Sequence, residues 1–439
     1  MKSSAIEFNK EKLTDISPYK DIRVLNVGCG AVGSYVVEHL TKMGIGGIIT
    51  LCDLDEYHKD NGAKTSCLVR FPEDNERPKS IALAERAGEI CVDSCKVNYI
   101  NGSVENLGPL FFAQYDYVFA SPDSVAVREY VNQQIMKLPP ELRPIYIFGG
   151  TDLEMGLAGR ADTTKSCYRC YCEEDSFRSS KKKHSCNDIR YRYNNDGSTS
   201  TVRVSNLSSA KAAILMADEL RSHVKQANHD IKAKNRLRAW NPDAPVPMFP
   251  TEIKRRADCP DCNSIRYPES IEYVCDTVLT TTLRDFLSAV AQKLGYADFE
   301  LDAHRHSFGE EDFTAFVTQN FCRRCGAAVD VYRHSGRITS SILCDKCKAD
   351  NIVLPDVVND GIVETLYGFR NGNCDERLLN MTLFDLGFPV GAYLFVTCMN
   401  GAIDRTDPRV EQHCFACRND VALISHNLDF MKGDTSYVG

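Results

Sequence analysis

Between Arg23 and Asp55 the chain reads R-V-L-N-V-G-C-G-A-V-G-S-Y-V-V-E-H-L-T-K-M-G-I-G-G-I-I-T-L-C-D-L-D. An apolar run, Val24 to Val27, stops at Gly28, Gly30 and Gly33, and a helical pattern follows from Ser34 to Met43. A second apolar run, Ile48 to Cys52, ends in Asp53. Strand, glycine turn, helix, strand and acid in that order predict a nucleotide-binding βαβ unit. The glycines let the backbone bend and approach a phosphate. The helix N-terminus offers free N–H groups and a partial positive charge to the same phosphate. Asp53 falls 20 residues after Gly33, at a strand end where a carboxylate can accept ribose hydroxyls.

A chain of 439 residues predicts two or three domains. The net charge of −8 gives no sign of nucleic-acid binding. No apolar run approaches the roughly 20 residues of a membrane span, so no membrane partner is expected. The start, M-K-S-S-A-I-E-F-N-K, lacks the apolar core of a signal peptide, and a cytoplasmic protein is expected. Of 20 cysteines, ten form C-x-x-C pairs: Cys167/Cys170, Cys259/Cys262, Cys322/Cys325, Cys344/Cys347 and Cys414/Cys417. In a reducing compartment that spacing points to Zn²⁺ rather than disulfides.

Further along, helices are expected over Lys79–Cys91 and Ser208–Leu220, and strands over Val97–Ile100, Tyr115–Ala120 and Pro144–Phe148. Asp123 follows the strand that ends at Ala120, where open α/β sheets place their ligands. Residues 173–201 are polar and basic and predict a surface loop, about 171–205 in all. A composition shift near residue 265 marks a domain boundary, giving domains 1–265 and 266–439. Beyond it, Tyr273–Thr282 looks strand-rich and Leu283–Leu294 is an amphipathic helix. Near the end, T-L-F-D-L-G-F-P-V-G-A-Y-L-F-V-T predicts a short helix, a turn and a strand.

The first 265 residues resemble the adenylyltransferases of the ThiF/MoeB and ubiquitin-activating kind. The family's glycine turn looks like G-C-G-A-V-G-S here, and its D-x-D like Asp53-Leu54-Asp55. Its asparagine falls on Asn61, its lysine before a helix on Lys79, and its aspartate before N-V-A-V-R on Asp123 in P-D-S-V-A-V-R. Its strand turn leading to C-Y-R-C is similar to Gly149 through Cys170, and its closing cysteine pair falls on Cys259 and Cys262. The resemblance implies a Rossmann-like α/β adenylation domain that binds ATP and Mg²⁺. The C-terminal glycine carboxylate of a ubiquitin-like protein attacks the α-phosphate, pyrophosphate leaves, and an acyl-adenylate remains. In the conjugating branch an enzyme cysteine then takes the acyl group as a thioester. Lys79 and Asp123 are the catalytic candidates of the first step: Lys79 as a point charge for phosphates, Asp123 as a Mg²⁺ ligand. Gly28, Gly30, Gly33, Asp53, Asp55, Asn61 and Lys64 would complete the nucleotide pocket. The family commonly has an arginine where Lys64 stands, so the bidentate fork is lost, with Arg70 or Arg77 as candidates to compensate. Its N-terminal helix arginine has no clear match in residues 1–20. The resemblance also implies a homodimer.

Zinc is expected to take Cys167, Cys170, Cys259 and Cys262, and a closed four-thiolate site does no chemistry. The thioester cysteine must then be another, and Cys186 is the choice. It follows Lys181, Lys182, Lys183 and His184, which favour thiolate, and it falls where the family carries its acceptor. Cys172 is the runner-up. In the C-terminal half, Cys322, Cys325, Cys344 and Cys347 form a zinc-ribbon pattern, expected over about 318–352, within a segment that resembles an α+β, β-grasp-like fold. In ubiquitin-activating enzymes a domain of this kind recruits the conjugating enzyme. Cys414 and Cys417 have no obvious partner pair: a zinc site with Cys374 or Cys398, a metal shared across a dimer and a redox role all stay open. The rivals to conjugation are a sulfur-carrier adenylyltransferase, a dinucleotide-dependent oxidoreductase and a catalytically inactive scaffold.

Overall fold

In this computed structural model β1 (Arg23–Val27), α1 (Ala31–Lys42) and β2 (Ile48–Asp53) form the anticipated strand–turn–helix–strand. The strands pair in parallel from Arg23↔Ile48 to Val27↔Cys52. The helix begins at Ala31, earlier than the apolar periodicity implied, because Gly30 already serves as N-cap and Ser34 N donates to its carbonyl. The structure describes residues 17–92, 95–152, 155–172, 191–193, 199–201, 205–227, 234–240, 248–302, 314–322, 325–334, 342–343, 346–347, 350–351, 361–366, 368–400 and 409–431. They divide into two units, Met1–Glu105 with Phe112–Ser264 and Ile424–Gly439, and Asn106–Phe111 with Ile265–Leu423.

The first unit continues through α2 (Lys79–Ile90), β3 (Lys96–Asn101), β4 (Tyr117–Ala120), α3 (Val125–Met136) and β5 (Ile145–Asp152). Then come β6 (Met155–Ala161), α4 (Asn206–Ala227), β7 (Arg236–Trp240) and β8 (Met248–Glu252). The sheet order is β8-β7-β6-β5-β4-β1-β2-β3. From β3 to β5 every pairing is parallel, and from β5 to β8 every pairing is antiparallel. The chain builds outward from β1 through β2 to β3, then restarts at β4 on the other side of β1. That reversal opens a crevice at the carboxyl ends of β1 and β4. Strand β4 and nearly all of β1 are buried, as expected of parallel strands covered on both faces. One cluster packs Val36, Val37 and Leu40 of α1 with Ala212, Ala213, Met216 and Leu220 of α4. Glu219, fully buried on α4, pairs with Arg160 of β6 at 3.4 Å and Arg236 of β7 at 2.9 Å.

The second unit contains β9 (Glu272–Cys275), α5 (Leu283–Leu294), β10 (Phe299–Asp302), β11 (Thr314–Phe321) and β12 (Ala328–His334). It goes on with β13 (Gly361–Leu366), β14 (Gly368–Arg370), β15 (Leu394–Cys398) and β16 (Glu411–Cys417). One sheet runs β9-β16-β15-β10-β14 and a second β12-β11-β13. Helix α5 starts where Thr282 caps Asp285 N and stops at left-handed Gly295. Phe286 of α5 meets Phe415 of β16 edge-on, with ring centroids 6.4 Å apart. The strand expected over Tyr273–Thr282 is only Glu272–Cys275. Beyond it, buried Asp420 accepts Thr277 Oγ1 at 2.6 Å and Val278 N at 3.1 Å on one oxygen. Gly391 N donates to the other oxygen at 2.8 Å. The expected short helix near Leu383 is a turn, closed by Phe388 N donating to Leu383 O.

The chain from Ile424 rejoins the first unit, where β17 (Leu428–Asp429) adds in parallel to the free edge of β3. Asn98 Nδ2 donates to Ile424 O, and Asn101 Nδ2 to Asp429 Oδ1 at 3.0 Å.

Two expectations follow for Asp420. Asp420→Ala leaves Val278 N and Gly391 N buried without acceptors and should destabilise the second unit by roughly 2–4 kcal/mol, read from hydrogen exchange of the β15 amides. Burial pushes the Asp420 carboxyl up to about 6 against the three hydrogen bonds. The folded unit therefore holds this proton more tightly than the unfolded chain. The gain is full below the unfolded value near pH ~4 and is lost as pH rises through about 6. Relative to Asp420→Asn, the wild type should lose stability between pH ~4 and ~6 and change no further above it.

Candidate functional site

The crevice between β1 and β4 is lined by the glycine turn on one side and Ser121–Asp123 on the other. Gly28 has φ +95°, and a Cβ there would stand 3.2 Å from Pro122 N. At Gly33 a Cβ would fall 1.8 Å from Gly28 O and 3.1 Å from Ser121 Oγ, so only glycine lets α1 close on the turn. A Cβ on Gly30 meets nothing within 4 Å: this glycine faces open space at the helix N-terminus. The turn is tied down by Tyr57, fully buried, whose hydroxyl donates to Cys29 O at 2.6 Å.

Asp53 binds the turn to the acidic loop after β2. Its Oδ2 accepts Cys29 N at 2.6 Å and its Oδ1 accepts Asp55 N at 2.9 Å. Each oxygen keeps a lone pair for a ribose hydroxyl. Burial pushes the Asp53 carboxyl up, against the nearby Lys79 ammonium. Lys79 opens α2, nearly buried, with Nζ 2.8 Å from Asp55 Oδ2. Burial alone would pull this ammonium down. The charges of Asp53, Asp55 and Asp123 reverse that and push Lys79 up to about 12, so it stays a cation. Asp123 is exposed at the end of β4 and precedes the N-cap Ser124 instead of capping α3 itself. Groups from the ends of β2 and β4 and from the start of α2 thus meet at the carboxyl edge of the sheet. The set suits a metal–nucleotide: backbone N–H groups and one cation for phosphate, and carboxylates for a divalent ion.

Other expected pocket residues are placed differently. Asn61 Oδ1 accepts His58 N at 2.8 Å, so this side chain caps its own helical turn. Lys64 is half-buried on the following turn. Arg70 pairs with Glu89 at 3.2 Å, and Arg77 with Asp74 at 3.0 Å and Glu85 at 2.6 Å. Near Pro122, buried Ser121 Oγ and Arg128 Nε have no hydrogen-bond partner among the described residues, and sequence reasoning passed over Ser121. Only the position of Ser121 just past a strand end could have signalled it.

The cysteines at 167, 170, 259 and 262 form one cluster. Sγ–Sγ separations are 3.8 Å for Cys167–Cys170, 3.6 Å for Cys167–Cys259, 3.5 Å for Cys170–Cys262 and 3.4 Å for Cys262–Cys167. Four thiolates about 2.3 Å from a tetrahedral zinc ion would stand about 3.8 Å apart, so the donor set and its size fit Zn²⁺. Asn132 of α3 pins both cysteine turns: its Oδ1 accepts Tyr168 N and its Nδ2 donates to Asp261 Oδ2 at 2.7 Å. Cys322, Cys325 and Cys347 also converge, with Cys322 and Cys347 sulfurs 3.6 Å apart. Cys344 lies outside the described residues, as do Cys186, Lys181, Lys182, Lys183 and His184. Cys172 is buried and its thiol is pushed up to about 11, which disfavours thiolate. Cys414 and Cys417 lie three apart on β16, so they project to opposite faces and cannot chelate one ion together.

The fold and this crevice define a Rossmann-like, nucleotide-binding α/β domain with a structural-type thiolate cluster. The ThiF family profile matches residues 5–264, and the chain belongs to that family of adenylyltransferases. Human (Homo sapiens) ubiquitin-like modifier-activating enzyme 6 is 27% identical over 153 residues, covering 33% of this chain and 14% of that relative. The chain therefore spans about one seventh of that protein's length. Solved structures similar to it include E. coli MccB with ATP, at 17% identity, covering 57% of this chain and 69% of that one, TM-score 0.43. PaaA is another, at 15% identity, covering 55% and 67%, TM-score 0.40. No helix among the described residues is long and apolar enough to cross a membrane.

Gly33→Ala should abolish ATP binding and lower the melting temperature, whereas Gly30→Ala should leave the melt unchanged, by calorimetry with and without Mg-ATP. Cys259→Ser should cost one equivalent of zinc per chain by elemental analysis.

Proposed function

We propose that this protein activates the C-terminal glycine of a ubiquitin-like protein by adenylation, consuming ATP with Mg²⁺. The observation that carries this reading is the convergence of Lys79 with Asp53, Asp55 and Asp123 at the switch point of a ThiF-family domain. A carboxylate is a poor acyl donor because oxide is a poor leaving group. Joined to AMP as a mixed anhydride it becomes a good one. In this reading a carboxylate oxygen of the modifier bonds to the α-phosphorus of ATP, and the bond from that phosphorus to the bridging oxygen breaks. Pyrophosphate leaves with its charge offset by Lys79. Asp123, with Asp55, would hold Mg²⁺, which supplies a countercharge to the phosphates. The turn at Gly28, Gly30 and Gly33 seats the phosphates, and Asp53 holds both the turn and the ribose.

In the second step the Cys186 thiolate attacks the acyl carbon, AMP departs, and a thioester forms. The second unit then docks a conjugating enzyme. Its five-stranded sheet with α5 supports a β-grasp-like reading, and the Cys322, Cys325 and Cys347 cluster supports a zinc ribbon completed by Cys344. The printed name of the human relative agrees with this choice of substrate. A cytoplasmic homodimer is part of the same proposal.

The test supplies Mg-ATP and candidate ubiquitin-like proteins ending in glycine. AMP formation and pyrophosphate exchange should appear, and Asp123→Ala should lower both by about 10²–10³-fold. A reductant-sensitive adduct should form and vanish in Cys186→Ala. AMP without any adduct would point to the sulfur-carrier branch. No AMP with a partner verified to bind would sink adenylation and leave a nucleotide-binding scaffold.

A further inference from the structure

The unassigned Cys417 has a partner that no sequence spacing indicated. In the parallel pairing of β9 with β16, Tyr273 stands opposite Ala416, but Cys275 stands opposite Cys417. An unbroken ladder would have set Val274 there and turned Cys275 toward Arg418. One extra residue on β9 re-aims the cysteine, as β-bulges do. The two sulfurs lie 2.8 Å apart, inside the contact distance of unbonded sulfurs and across residues 142 apart in sequence. Both are free thiols. β9 is an edge strand of its sheet, and Cys275 is half-buried on it, whereas Cys417 is 1% exposed.

We propose that Cys275 and Cys417 form a reversible two-electron redox site whose oxidant is a low-molecular-weight disulfide. Cys275, the accessible thiol, attacks first as its thiolate. A bond forms between its sulfur and one sulfur of the small disulfide, and the other half leaves as a thiolate that takes up a proton. Cys417 then loses its proton to solvent and attacks the Cys275 sulfur, releasing the second half as thiol. The protein dithiol is oxidised by two electrons and one disulfide is reduced to two thiols. The order of attack agrees with the surroundings of Cys417: its hydrogen bond to Cys275, burial, and the carboxylates of Asp420 and Asp276 all hold its thiol up. The bond closes a loop from β9 to β16 that contains α5 and the three-thiol cluster at Cys322, Cys325 and Cys347. Closing so long a loop removes entropy from the unfolded chain and ties the edge strand to the sheet interior.

The test uses the full zinc-loaded chain equilibrated in buffers of glutathione and glutathione disulfide, quenched in acid, alkylated and read by peptide mass spectrometry. The expected result is one linked Cys275–Cys417 peptide that grows with the disulfide fraction and disappears with excess glutathione. In Cys417→Ser, Cys275 should stop at the glutathione adduct. Alkylation of both thiols at every ratio overturns the proposal, and so does a bridge from either cysteine to a third. The wild-type measurement decides even where the variant fails to fold.

Discussion

The carboxylate of Asp53 holds the first unit's working edge together. One oxygen fixes the glycine turn through Cys29 N and the other fixes the acidic loop through Asp55 N. Without it the loops at the ends of β1 and β2 would each need another acceptor, for Cys29 N and for Asp55 N. The bonding sets Asp55 where Lys79 can reach it, and Lys79 in turn starts α2. A residue that reads as a ribose ligand is thus first a structural clamp. The cation it helps place lies among three carboxylates, whose charges keep Lys79 protonated despite its burial.

The two units use buried acids in the same way. Glu219 gathers Arg160 and Arg236 beneath α4, and Asp420 gathers Thr277, Val278 and Gly391 around one side chain. Each joins segments distant in sequence. The strand expected over Tyr273–Thr282 ends at Cys275, and Asp420 accepts the Val278 N–H beyond it. The zinc-type cluster repeats the theme in thiolates, joining Cys167 and Cys170 to Cys259 and Cys262, with Asn132 as the bracket.

Where apolar periodicity and turn chemistry act locally, the sequence was legible. The βαβ core, α2, α5, the strand ending at Ala120 and the start of β5 all follow from spacing that any short window contains. So does the C-x-x-C pairing at Cys167 and Cys259, because two thiolates three apart in a turn can share a metal. At Cys414 and Cys417 the same spacing left several roles open, and on a strand it sends the sulfurs to opposite faces. Nor did spacing show that Arg70 pairs with Glu89, and Arg77 with Asp74 and Glu85.

The sequence by itself determined the parallel α/β core, the position of the crevice-forming glycines and the family, since these rest on residue types that only one local geometry accepts. Gly33 is the sharpest case: no side chain fits beside Gly28 O. Only the tertiary structure decided which acids surround Lys79, that the chain from Ile424 completes the sheet beside β3, and that Cys417 faces Cys275. These depend on strand order and register between segments tens to hundreds of residues apart. One bulged residue, which leaves no mark in composition or periodicity, is enough to change which side chains meet.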